Sequence, residues 1–232
     1  MSGLREAAAH AFVDDLDAPG LSDEDRHHLE RVLRLRPGAQ ITVSDGAGRW
    51  RLCRFAGGLE PLGDIVIEAR PSPPITVAVA LTKGERLDWA VQKLTELGVD
   101  GIVPLAAARS VVRWDDARAK HHLERLGRIA RQAAMQSRRT WLPAVDDLRP
   151  FAEVAAFPGA ALAEPGGGPP TLERPLVLVG PEGGWAEEEA AAALPRVDLG
   201  PTVLRAETAA VAAAALLCAL REGLVGPSRQ AG

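Results

Sequence analysis

Residues 176–194 read LVLVGPEGGWAEEEAAAAL. Leu176, Val177, Leu178 and Val179 are apolar without alternation, which marks a strand buried on both faces, the habit of a parallel sheet. Gly180, Gly183 and Gly184 then turn the chain, and a run rich in Glu and Ala continues as a helix. Strand, glycine turn and helix are the usual setting of a phosphate cradle. Yet the turn holds no Lys, Ser or Thr, and neither GxxxxGKS/T nor GxGxxG is present. What it offers is main-chain N–H and C=O groups plus Glu182, a lining suited to a flat polar group such as an adenine or a ribose. The alternative is a plain helix-entry turn.

Working outward, a second glycine-bearing strand end follows at DLGPTVLRAETA, 198–209. Upstream, ITVAVAL (75–81) is another continuous apolar run. The next stretch, ERLDWAVQKLTELG, places Leu87, Ala90, Val91, Leu94 and Leu97 at helical spacing with Gly98 as its stop. DGIVPLAA, AALAE, PLVLVG and RVDLG read as further strands, and 115–137 reads as a long helix. Two more helices are expected after Trp185 and after Arg205. This alternation predicts an α/β domain with a mainly parallel sheet, whose ligands bind at the carboxyl ends of the strands. The prolines of EARPSPPI (68–75) mark a linker before it. Ahead of the linker, LSDEDRHHLERVLRL predicts one helix capped by Ser22, with Leu29, Val32 and Leu33 on one face. AQITVSDG, GRWRLCRFAG and GDIVIEAR are short strands punctuated by glycines, which predict a small β-barrel. The expected domains are therefore 1–72 and 73–232.

The chain has 232 residues, 47% of them hydrophobic and 25% charged, enough for two globular cores. Its longest apolar run, 209–220, is too short to span a bilayer, and MSGLREAAAHAFVDDL lacks a signal-peptide core. With two cysteines there is no disulfide framework, and the paired histidines at 27–28 and 121–122 lack metal-site spacing. A cytoplasmic protein without a metal is the expectation. The net charge of −4 hides a basic stretch: 109–139 carries 9 basic and 3 acidic side chains. This is the footprint of a polyanion partner, or a solvated helix face.

LVGPEGGWAEEE followed by LGPTVLRAETAA resembles the paired C-terminal signature of the SPOUT methyltransferases, and more narrowly the RsmE family, bacterial 16S rRNA uracil-N(3) methyltransferases. HHLERVLRLRPG, LTKGERLDWAVQKLTELGV, PLAAARSVV and RIARQAAMQS extend the resemblance, in the right order, over nearly the whole chain. It implies a PUA-like N-terminal β-barrel, a C-terminal α/β domain with a deep trefoil knot, S-adenosylmethionine as cofactor, a homodimer, and 16S rRNA in the small ribosomal subunit as partner. By matching positions, one cofactor wall is Val179, Gly180, Pro181, Glu182, Gly183 and Gly184. The other is Leu199, Gly200, Val203, Leu204 and Arg205, with Thr208 and Ala209 in the helix that follows. Arg205 and Glu207 are the catalytic candidates, although Arg205 also reads as a salt-bridge partner of Glu182 or Glu207, and Glu207 as a first-turn acid facing the helix dipole.

The RNA-contacting candidates are His28, Arg31, Arg34, Lys83, Arg109, Arg125, Arg128, Gln136, Arg138 and Arg139. His28, Arg31 and Arg34 are three apart and share a side of the expected first helix. The sequence departs from the family pattern at Ala108, where an acid is common before Arg-Ser, and at Arg138, where QSRR replaces QSGR. Both weaken the carry-over of RNA contacts there. A same-fold methyltransferase acting on tRNA and a silent RNA-binding protein stay open as alternatives.

Overall fold

The structure, a computed structural model, describes residues 2–226. It divides into two compact units. The first holds residues 2–70 together with Arg131–Leu142, and the second holds Pro71–Ala130 with 143–226.

The first unit comprises α1 (Ser2–Glu6), β1 (Ala9–Phe12), α2 (Asp23–His27), a π-helical turn (His28–Val32), β2 (Gln40–Ser44), β3 (Arg49–Phe55), β4 (Leu59–Pro61) and β5 (Val66–Ile67). The sheet runs β1-β2-β3-β4, parallel at β1–β2 and antiparallel after, with β5 also on β3. β1 escaped the sequence reading because AHAF is only four residues long and is buried at every position, so no alternation announces it. Ser22 caps α2 as expected, its Oγ accepting from Asp25 N at 3.0 Å. The single helix expected beyond it does not form. At His28 the chain widens into a π turn, with Leu33 N donating to His28 O. The wider turn rotates later residues off the buried face: Leu29 is buried, but Val32 and Leu33 are 61% and 46% exposed. Arg34 then adopts φ +52°, so it leaves the helix and no longer shares a face with His28 and Arg31.

Residues 131–142, which the sequence placed in the second domain, pack in this first unit. Ala134 and Met135 join the core around Phe12, Leu29, Val43 and Phe55. Arg131 donates to Asp25 Oδ2 at 2.6 Å and lies 5.2 Å over the Phe12 ring. The expected boundary rests on the proline linker, which carries no sign of what packs back later.

His10 is buried in the same core, with Nδ1 2.8 Å from Thr42 Oγ1. Desolvation, helped by nearby Arg138 and Arg131, lowers its pKa to about 4. An unfolded His protonates near 6.5, so between there and about 4 the unfolded chain binds more protons than the folded one. The His10 contribution is therefore intact above pH 6.5 and is lost as the pH falls toward 4, a loss of about 3 kcal/mol at 1.36 kcal/mol per unit. Thermal melts at pH 7 and pH 4.5 should show a drop in wild type that His10→Gln largely lacks. Equal acid sensitivity in the two proteins would refute the assignment.

The second unit comprises β6 (Thr76–Ala80), α3 (Arg86–Leu97), β7 (Gly101–Ala106), α4 (Asp116–Ser137, ending in the first unit), β8 (Ala144–Val145), β9 (Arg149–Pro150), α5 (Phe151–Ala155), β10 (Ala160–Gly168), β11 (Leu176–Val179), α6 (Glu187–Ala190), β12 (Arg196–Val197) and α7 (Ala206–Arg221). Its seven-stranded sheet is parallel at every recorded pairing and ordered β12-β10-β11-β6-β7-β8, with β9 also on β7. The central strands β6 and β11 are buried on both faces, as their unbroken apolar runs require. Gly98 ends α3 with φ +101°, a left-handed cap. After β12 at the sheet edge, the chain returns through 198–205, and α7 packs against α3, β6 and β11. That return brings the second glycine loop beside the first.

Candidate cofactor site

β10, β11 and β12 are neighbours, so their carboxyl ends open on the same side of the sheet. A cavity of about 330 Å³ lies there, a size that suits a small ligand. The turn after β11 supplies Val179, Gly180, Pro181, Glu182 and Gly184, and the loop after β12 supplies Leu199, Gly200, Val203 and Leu204, with Ala209 from α7. Of the expected wall residues, three stand back from the cavity. Gly183 instead gives its carbonyl to Arg109 Nη1 at 3.2 Å. Arg205 is exposed at the N-cap of α7, and Thr208 is exposed one turn on. Side chains of a helix that leads away from a cavity cannot all face it, which spacing along a motif does not reveal.

The cavity also draws on residues the sequence did not single out: Ala163, Glu164 and Pro165 of β10, Asp198, Thr202 and Ala206, and Ala190 at the end of α6. Trp185, just after the first glycine turn, lines it as well. Its ring rests on Gly180, where an added Cβ would sit 3.0 Å from the indole, and its Nε1 donates to Ala163 O at 3.4 Å. Gly180 therefore lets an aromatic wedge close one end of the cavity. The signal for the β10 residues was the glycine run 166–168, since Gly167 lies where a Cβ would strike the Arg196 backbone at 2.6 Å.

Asp198 ties the 199–204 loop to the end of β10. Its Oδ1 accepts from Gly200 N at 3.0 Å and its Oδ2 from Gly166 N at 2.9 Å. These main-chain donors, Gly200 first, hold its carboxyl below the usual carboxylate range. Gly200 sits at φ +146°, a conformation that a side chain would strain. Beneath the first turn, the buried carboxylate of Glu189 accepts from Ala186 N at 2.9 Å and Ala108 N at 2.8 Å. Arg86, not Arg205, pairs with the nearby acids: it lies 2.7 Å from Glu182 and 3.8 Å from Glu207.

The basic residues divide into two groups. His28, Arg31, Arg34, Lys83, Arg128 and Gln136 are exposed, and Arg109 is exposed while bonded to Gly183. Arg125 is instead engaged with Asp88 of α3, and Arg138, at φ +58°, donates to the carbonyls of Leu4 and Arg5. Both guanidiniums thus have partners within the fold, and both residues keep part of their surface in solvent. Arg139 is half-buried and has interactions of its own. Among the described residues no group of three or more His, Cys, Asp or Glu is placed to hold a metal ion, and no helix is long and apolar enough to cross a membrane.

A family profile described as RNA methyltransferase domain matches residues 70–218, and one described as RNA methyltransferase PUA domain matches 21–58. A Mycobacterium tuberculosis protein named ribosomal RNA small subunit methyltransferase E is 36% identical over 243 residues, covering 87% of this chain and 88% of its own. A Bacillus subtilis protein of the same name is 32% identical over 230 residues, covering 85% and 88%. The crystal structure of a Neisseria gonorrhoeae ribosomal RNA small subunit methyltransferase E, bound to S-adenosylmethionine, superposes with a TM-score of 0.77 at 30% identity, covering 91% of this chain and 97% of that one. The SPOUT-type α/β unit and the PUA-like unit are thus both present.

Proposed function

This chain belongs to the ribosomal RNA small subunit methyltransferase E family, and from that premise we propose that it methylates N3 of a specific uridine in 16S rRNA, using S-adenosylmethionine, as a cytoplasmic homodimer acting on the small ribosomal subunit. The observation that carries the reading is the cavity at the ends of β10, β11 and β12, walled by the two glycine loops. Its chemistry fits the cofactor: the walls are mostly apolar side chains and main chain, and no Lys or Arg lines it, as a phosphate would require. The 180–184 turn and the 199–204 loop would hold the adenosyl group.

When bound, S-adenosylmethionine would supply the methyl from its sulfonium, and the protein's task is orientation. The uridine N3 proton that methylation displaces would pass to solvent. Arg205, exposed beside the cavity-lining Leu204 and Ala206, is the residue we propose to stabilise the ring anion. Glu207, paired with Arg86, serves the architecture rather than proton transfer.

The test is incubation with small-subunit particles lacking the modification, followed by mass mapping of the product. A methyl group on a 16S uridine N3 is expected, and methylation of another atom or only of tRNA would overturn the assignment. For the RNA, Arg31, Lys83 and Arg128 are proposed phosphate contacts. Replacing all three with Ala should flatten the slope of log affinity against log salt by about 2, at roughly 0.7 per phosphate for single strands. An unchanged slope would remove them from the interface.

A further inference from the structure

Arg86 stands in the first turn of α3 between two carboxylates. Its Nη1 is 2.7 Å from Glu182 Oε1, in the turn that forms one wall of the cavity. Its Nε is 3.8 Å from Glu207 Oε1, in the first turn of α7, between the cavity-lining Ala206 and Ala209. The Glu207 side chain is only 12% exposed, and its Oε2 is buried without a hydrogen-bond partner among the described residues. Arg86 itself does not line the cavity.

We infer that Arg86 is a positioning residue that sets the separation of the cavity's two walls by holding Glu182 and Glu207 to one guanidinium, and that it thereby tunes cofactor affinity. The inference rests on the reading of the cavity as the S-adenosylmethionine site. Without Arg86, two like charges face each other across the seam between the 180–184 turn and α7. The Glu207 side chain is largely buried, and a carboxylate left there without its counter-charge is destabilised and must move. The arm to Glu182 is half exposed and weak by itself, so the leverage lies in the arm to Glu207. A lysine is a compact point charge and reaches only one of the two, whereas the planar fork of arginine spans both.

The experiment is calorimetric titration of S-adenosylmethionine into wild type, Arg86→Ala, Arg86→Lys, Glu207→Gln and the double variant R86A/E207Q, with steady-state kinetics alongside. Arg86→Ala should weaken binding roughly five- to tenfold with unchanged stoichiometry, and Arg86→Lys should fall between it and wild type. The double variant should regain part of the loss, because the uncompensated charge is gone. KM for the cofactor should rise by the same factor while kcat at saturation stays within about twofold. A merely structural role would lower the active fraction and kcat and leave KM alone. If wild type binds and Arg86→Ala binds as tightly, the inference falls while the cavity assignment stands. If wild type fails to bind at millimolar cofactor, the cavity assignment falls and takes the inference with it. Should Arg86→Ala not fold, Arg86→Lys and Glu207→Gln carry the test, and equal affinity in both would overturn it.

Discussion

Replacing Arg221 with methionine is expected to destabilise the second unit by about 3–5 kcal/mol, the cost of stranding one member of a buried ion pair. Arg221 is in the last turn of α7 and pairs with Asp100, and both side chains are 5% exposed. The same guanidinium donates to Gly98 O at 3.0 Å and reaches Pro73 O at 3.5 Å, while Asp100 Oδ2 accepts from Ile75 N at 2.9 Å. One side chain therefore joins the end of α7, the left-handed cap of α3 and the entry to β6. Methionine fills most of the space, so the loss isolates charge and hydrogen bonding from packing. It leaves the Asp100 carboxylate in a low-dielectric site without its Arg221 counter-charge. Urea denaturation followed by tryptophan fluorescence measures the loss. A change below about 1 kcal/mol would show that the pair is screened as a surface bridge is. The double variant R221M/D100L should recover much of the stability, because removing both charges removes the desolvation cost along with the attraction.

The elements that were legible in the sequence are those whose physical requirement is local. β6 and β11 announce themselves because burial on both faces forbids polar residues along the run. Gly98 marks the end of α3 because the left-handed cap favours a residue without Cβ. The loops at 180–184 and 199–204 are readable because Gly184 and Gly200 turn the chain at positive φ and Gly180 leaves room for the Trp185 ring, and the cavity uses nine of the eleven positions that the signature assigned to those two walls. What was not legible depends on partners far along the chain. Nothing near Arg86 marks it as the cation shared by Glu182 and Glu207, and the simpler guess gave that role to Arg205 because it is close in sequence. Nothing in QAAMQSRR says that Ala134 and Met135 complete the core of the N-terminal unit. The π turn at His28 was hidden for another reason: helical spacing is scored at a fixed period, and one inserted residue per turn shifts Val32 and Leu33 to the solvent without altering the composition.

Arg205→Ala is expected to lower kcat by about 10²–10³, the usual loss when a stabiliser of developing negative charge is removed, while the dissociation constant of the cofactor changes by less than about twofold. Because Arg86 occupies both acids that might have held it, Arg205 keeps an exposed guanidinium that makes no hydrogen bond or ion pair among the described residues. Its backbone caps α7 between Leu204 and Ala206, which line the cavity, so the side chain is anchored at the rim rather than in the wall. That separation is why turnover and cofactor affinity should part in the variant. A uracil that loses its N3 proton spreads charge onto its carbonyl oxygens, and a permanent cation at the rim favours that anion without having to change protonation state. The defect should shrink as pH rises, since the ring then ionises without help, and Arg205→Lys should retain part of the rate. If Arg205→Ala turns over at the wild-type rate, or if cofactor binding and kcat fall together at every pH, the guanidinium does not act on the ring, and the anion must be met by a group from elsewhere.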